Sequence, residues 1–205
     1  MIHPHTKVLT CQPTIGVGVF ATRPIPRGTI VVVRDKFDTC LTRDEFLRLP
    51  DPIRESMETY LYHDKCGNLV LSWDHARYMN HSCRSNTMMT DYNLEIAVRD
   101  IEAGEEITTE YGLLNIQDPY EIHCRCEGCR EHLRLDDIDV HGDSWDSAIK
   151  TSLLRIIDCP QPLFDLLDHD SRSRIDALLQ GIEAYSSIRN LKWRDVSACL
   201  SGVGG

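Results

Sequence analysis

Three cysteines, Cys124, Cys126 and Cys129, fall within six positions of one another in the stretch "EIHCRCEGCR". Their C-x-C-x2-C spacing supplies three thiolate ligands, and a structural zinc ion takes four in a tetrahedron. The neighbouring residues are too polar for a buried apolar cluster of thiols. Three side chains compete for the fourth position. His123 adjoins Cys124 and is awkward to bring round the same ion. His132 stands three residues after Cys129, and Cys83 lies far upstream. The other cysteines, Cys11, Cys40, Cys66, Cys159 and Cys199, are scattered and are expected as plain core or surface thiols.

Three further segments carry side chains or backbone suited to binding. In "IGVGVFA" the glycines Gly16 and Gly18, with Val17 and Val19, let backbone N–H groups approach a ligand without a Cβ in the way. A third glycine and a following helix are missing, so this is no dinucleotide motif, and a simple β-turn is the plain expectation. In "ARYMNHSCRSNT" the residues Tyr78, Asn80, His81, Ser82, Asn86 and Thr87 are dense in hydrogen-bonding groups. Asparagines of this kind grip a ligand's amino and carboxyl groups or pin a close crossing of backbones. No G-x-S-x-G elbow or triad spacing points to a hydrolase. In "EEITTEYG" an amphipathic strand closes on Tyr111 beside a glycine, where a half-buried phenol with one satisfied hydroxyl is expected.

The elements that must hold these groups read as mainly β with a helical insert and a C-terminal α-helical extension. Residues 8–34 alternate β-branched runs with Pro24, Pro26 and Gly28. The insert at 41–62 predicts one or two short helices, with Thr42 as N-cap and Glu45 three residues on. The runs "NLVLSW", "NLEIAVRD" and "EEITTEY" predict short strands, with Gly104 in a turn. Beyond 143 the spacing of Trp145, Ile149, Leu153 and Ile156 is helical, as is that of Ile175, Leu178, Leu179, Ile182 and Tyr185. Pro160 and Pro162 separate two helical pieces within 143–200, and "SGVGG" reads as a flexible tail.

Charge and length narrow the function. At 205 residues the chain can bury a sizeable core without disulfides, and nine cysteines is an odd number for a full disulfide framework. With 22 Lys+Arg against 32 Asp+Glu, the net charge of −10 argues against binding nucleic acid directly and suits a basic partner. No apolar run approaches the roughly 20 residues of a membrane span. "MIHPHTKVLT" lacks the charged and apolar regions of a signal peptide, so an intracellular location is expected, nucleus or cytoplasm alike.

The four motifs in their order (Gly-x-Gly, "RYMNHSC", "GEEITTEYG", "CRCEGC") resemble the SET-domain protein-lysine methyltransferases with a zinc-binding post-SET segment, over roughly 8–130. The family's usual N-H-S-C-x-P-N departs here at Ser85, which stands where proline is expected. The resemblance implies a β-clip fold with a pseudoknot, a SET domain at 8–115, a post-SET zinc segment at 116–132 and the extension at 143–200. It implies S-adenosylmethionine held by Gly16, Val17, Gly18, Val19, Tyr78, Asn80 and His81. It also implies a catalytic Tyr111 and a structural zinc ion on Cys83, Cys124, Cys126 and Cys129. A lysine ammonium, with pKa about 10.4, must lose its proton before it attacks the sulfonium methyl, and an apolar channel beside a sulfonium favours that loss. The expected partner is a basic lysine-containing protein or peptide; Tyr60 and Tyr62 are candidate contacts, and Thr109 stands where channel size would matter. A non-catalytic SET-like module that binds a protein tail or the cofactor is the alternative function.

Overall fold

A computed structural model describes residues 1–11, 16–122, 124 and 126–193. Strands β1 (Thr6–Thr10), β2 (Val17–Ala21), β3 (Ile30–Val33) and β4 (Thr39–Leu41) come first, then helices α1 (Arg43–Leu47) and α2 (Asp51–Glu58). Six strands follow: β5 (Tyr62–His63), β6 (Leu69–Leu71), β7 (Asn80–His81), β8 (Thr87–Met89), β9 (Leu94–Ala97) and β10 (Glu106–Thr109). The pair β11 (Tyr120–Glu121) and β12 (His132–Leu133) leads into the long helix α3 (Asp137–Leu153) and then α4 (His169–Leu179). The fold is mostly small sheets with a helical C-terminal part, as expected.

Two sheets pack face to face, and helices cover the outer face of one. One sheet runs β1-β2-β10-β7 and the other β3-β9-β8, while β4-β6-β5 forms a third. Alternation along β9 settles which face meets what. Leu94 and Ile96 point into a core shared with Trp145, Ile149 and Leu153 of α3 and Ile175 and Leu178 of α4. Ala97 points the other way, into a second core with Val19 of β2 and Ile107 of β10. The C-terminal helices therefore complete the core of the strand region rather than standing apart from it. Each such buried aliphatic side chain contributes about 1.5–3 kcal/mol.

Local chemistry accounts for the boundaries. Thr42 accepts the Glu45 N–H, and Glu45 returns a bond to the Thr42 N–H, a complete capping box on α1. Pro50 caps α2, and Pro52 sits in its first turn, where no intrahelical donor is lost. Gly104 turns the chain at φ +85° into β10. Helix α3 begins at Asp137, earlier than the predicted 143. Its start is drawn upstream by Asp137, whose carboxylate accepts the Arg134 N–H and pairs with Arg130. Helix α4 stops at Leu179, although helical spacing runs on through Ile182 and Tyr185. Gly181, at φ +71°, lets its own N–H reach Leu178 and the Ile182 N–H reach Ala177, a Schellman stop that leaves Ile182 exposed.

Asp146 of α3 then draws in the following segment, accepting from the Tyr185 hydroxyl at 2.7 Å, the Ser187 hydroxyl at 2.6 Å and the Ile188 N–H at 2.9 Å. Cys66 is not a plain thiol but disulfide-bonded. Cys199, His123 and the "SGVGG" tail lie outside the described residues. Among the described residues no helix is long and apolar enough to cross a membrane.

Candidate active site and metal centre

Cys124, Cys126 and Cys129 occupy the loop of the β11–β12 hairpin, where Tyr120 pairs with Leu133 and Glu121 with His132. Gly128, at φ +72°, supplies the left-handed turn that brings Cys129 back. Cys83, just beyond β7, completes the group: the four Sγ atoms all lie within 4.8 Å of one another. Cys124 is 3.2 Å from Cys126, 3.2 Å from Cys129 and 3.5 Å from Cys83. A tetrahedron of thiolates on zinc places its sulfurs about 3.8 Å apart, so the four fit that ion. All four are free of disulfides, and the N–H groups of Arg130 and Glu131 point at Cys83 and Cys129. His132 stays in its strand, outside the cluster.

The cluster is tied to Tyr111 through one ring. His81 Nδ1 accepts the Tyr111 N–H at 3.2 Å, which leaves the proton on Nε2, 3.4 Å from Cys83 Sγ. Burial, with Arg130 nearby, holds His81 down to about 4, so the ring is neutral. Behind it lies Glu110, fully buried, its Oε1 taking a 2.7 Å bond from Arg130 and capping the Gly112 N–H. Burial lifts this carboxyl to about 7, against the pull of Arg130. Arg130 also pairs with Asp137 and lies over the Trp145 ring, so it joins hairpin, strand end and α3. Gly112 permits that closeness: a Cβ there would come within 2.8 Å of the Trp145 ring.

The parallel pairing of β7 with β10 sets Asn80 beside Thr108 and His81 beside Thr109. Asn86 fastens the crossing: fully buried, it donates to the Glu106 carbonyl and accepts the Thr108 N–H, both at 2.8 Å. Tyr111 follows directly, its hydroxyl donating to the Met79 carbonyl at 2.8 Å. Burial pushes that phenol well above its ordinary range, so it stays protonated. It lines a cavity of about 570 Å³ together with Tyr60, Tyr62, Met79, Glu95 and Thr109.

On the other edge of β10, Glu106 pairs with Phe20 and Ile107 with Val19 of the glycine strand. A Cβ on Gly18 would collide with Glu106 Oε1 and sit 2.6 Å from Cys11 Sγ and 2.9 Å from Asn80 Nδ2. Asn80 Nδ2 donates to the Val17 carbonyl at 3.1 Å and to Glu106 at 2.7 Å. Gly16, Val17, Gly18 and Asn80 thus form one cradle, with Gly16 in the left-handed region at φ +83°. Val19 is wholly buried and turns its side chain into the core, leaving only its backbone on this strand. Tyr78 stands apart, edge-on to Tyr60 at 5.3 Å and under the Arg77 guanidinium. Cys11, Glu106, Glu110 and Arg130 escaped sequence reasoning. The alternation of "GEEITTEYG" places Glu106 on one face with Thr108, a readable signal; the partners of the other three come from distant chain segments.

Residues 16–112 match the family model of the SET domain. Among curated proteins it is similar to the Arabidopsis thaliana histone-lysine N-methyltransferase ASHH3, 34% identical over 143 residues, covering 62% of this chain and 35% of that one. It is also similar to the histone-lysine N-methyltransferase SET9 of Gibberella zeae, 31% identical over 57% of this chain and 18% of that one. A third relative is a SET and MYND domain-containing protein of Dictyostelium discoideum, 32% identical over 46% of this chain and 8% of that one. The chain thus spans about a third of the length of the first of these and less of the others.

Proposed function

We propose that this chain is an S-adenosylmethionine-dependent protein-lysine N-methyltransferase. The observation that carries the proposal is the parallel pairing of Asn80–His81 with Thr108–Thr109, which brings the glycine cradle and the Tyr111 pocket to one strand. The backbone of Gly16 to Val19, with Asn80 and the backbone at His81, would hold the cofactor, and Tyr78 would lie beside it. Gly18 lets Asn80, Cys11 and Glu106 close directly onto the strand's backbone, and Gly16 beside it has open space on its Cβ side, which fits a backbone that meets a ligand. When bound, the cofactor supplies a sulfonium-activated methyl group for displacement by a neutral lysine amine.

The chain's own residues position the acceptor. Tyr111, held by the Met79 carbonyl and kept protonated, presents its oxygen lone pair to an amine N–H and so orients the nitrogen. Tyr60 and Tyr62 line the same pocket. Arg34 pairs with Asp64 and Lys65 with Asp91, and Arg77 lies over the Tyr78 ring, while Asp38, Glu58 and Asp118 leave the pocket wall with an acidic surplus that would draw in a basic protein segment. The four cysteines would hold a structural zinc ion that pins the post-SET hairpin to the end of β7.

Radiolabelled methyl transfer to a panel of basic proteins tests this function. Tyr111→Phe is expected to lower the rate on the order of 10²-fold while cofactor affinity by calorimetry stays within about twofold. An equally active variant would overturn the role given to Tyr111. A cofactor-binding protein that transfers nothing to any acceptor would point to a binding module instead.

A further inference from the structure

Strand β9 holds a carboxylate among core residues. Leu94, Ile96 and Ala97 are buried hydrophobic, and Glu95 between them is 8% exposed. Its side chain leaves the sheet on the face of Ala97, away from α3, and enters the wall of the Tyr111 cavity. Thr87 of β8 donates to Oε2 at 3.0 Å. Thr109, whose buried hydroxyl has no well-formed partner, lies beside the same carboxylate. No cation pairs with Glu95 among the described residues. An uncompensated buried carboxylate costs several kcal/mol, and a structural role would be met as well by an apolar residue. Facing a pocket that also holds Tyr111, it is built for a cation that arrives from outside.

We propose that Glu95 receives the ε-ammonium of the target lysine and takes its proton. This rests on the methyltransferase function proposed above and adds a proton acceptor to it. In the step, an N–H bond of the ammonium breaks, its electron pair stays on nitrogen, and the proton forms an O–H bond on Glu95. The neutral amine is then the nucleophile, and the proton leaves through the pocket mouth when the methylated product departs. Burial raises the Glu95 pKa above that of a surface carboxylate, which brings it nearer to that of an amine. The titratable groups facing it are the phenols of Tyr62 and Tyr111, both pushed up by burial. Strand β3 presents Val32 opposite Glu95, and β8 presents Met89. The charged neighbours are engaged elsewhere, Asp91 with Lys65 and Arg174, and Arg34 with Asp64.

The nearly isosteric Glu95→Gln tests the assignment. At neutral pH its methyl-transfer rate should fall on the order of 10²-fold, with the deficit closing as pH rises toward the amine's own pKa. Its melting temperature should hold or rise, since an unpaired buried charge is gone. An equal rate and pH profile, or a pH-independent loss with a lower melting temperature, would overturn the proposal. A second readout needs no methyl transfer: n-butylammonium, the lysine side chain alone, should raise the melting temperature of wild type more than n-butanol does. Glu95→Gln should abolish that difference. If wild type shows no such preference, the ammonium site is refuted even if Glu95→Gln fails to fold. A Glu95-dependent preference in a protein that transfers no methyl group would uphold the site and refute the methyltransferase function.

Discussion

The imidazole of His81 touches Tyr111 and Cys83 at once, accepting the Tyr111 N–H at 3.2 Å and lying 3.4 Å from Cys83 Sγ. A single ring therefore joins the thiol cluster to the residue proposed to orient the substrate. Removing metal from the cluster should accordingly disturb more than the hairpin. We expect one zinc ion per chain by elemental analysis. Chelation should lower both the melting temperature and the affinity for S-adenosylmethionine, and Cys83→Ser should reproduce both effects. Zinc release with unchanged cofactor affinity would break the coupling.

Gly18 is the tightest point of the cradle. Gly18→Ala drives a methyl group into Glu106, Cys11 and Asn80, and Asn80 must yield. Calorimetry should report cofactor affinity at least about tenfold weaker, 1.4 kcal/mol. Gly104→Ala is the control: its φ of +85° makes alanine strained, but its surroundings are open. Its effect should be confined to a loss of about 1–2 kcal/mol in stability, with cofactor affinity unchanged.

Glu110 makes a pH-dependent contribution whose sign is fixed by its raised pKa. Burial lifts it from 4.5 to about 7, so its favourable term is complete below 4.5 and is lost as pH rises through 7. The stability of wild type relative to Glu110→Gln should therefore fall by roughly 3 kcal/mol between those limits. His81, held to about 4, loses stability in the opposite direction as pH falls and lies 3.7 Å from Glu110 Oε1, so both proteins are compared with His81→Asn in place to remove its term. Chemical denaturation of both proteins across this range gives the result; a constant difference would contradict the buried, raised carboxyl.

Ile149 is wholly buried between α3 and the β3-β9-β8 sheet. Ile149→Ala should cost about 2–5 kcal/mol in denaturant unfolding and lower the melting temperature of the whole chain in one transition. Two separate transitions, with only the later one shifted, would mean that the helices fold apart from the strands.

Local signals were legible where a few neighbouring residues decide the outcome. Thr42 and Glu45 announce the start of α1, and Gly104 announces the turn into β10, because caps and turns are built from adjacent backbone groups. Helical spacing placed Trp145, Ile149 and Leu153 on one buried face. The same spacing overran the end of α4, since it is blind to the left-handed Gly181 that lets the Schellman bonds close. Spacing is equally silent on what a helical face covers.

Read along the chain, the residues announce a C-x-C-x2-C run of three thiols, a Gly-x-Gly strand, an Asn-His segment and a tyrosine that closes a strand. These are properties of residue type and short separation. The family resemblance already put Cys83 with the three hairpin thiols, and the fold brings the four Sγ atoms within 4.8 Å and leaves His132 outside. That the C-terminal helices share the core of the sheet was legible only in three dimensions. The tertiary structure alone set Glu95 facing the Tyr111 pocket without a counter-ion. Each depends on which distant strands pair, and the β7–β10 pairing is fixed by burying whole faces and by the Asn86 clamp.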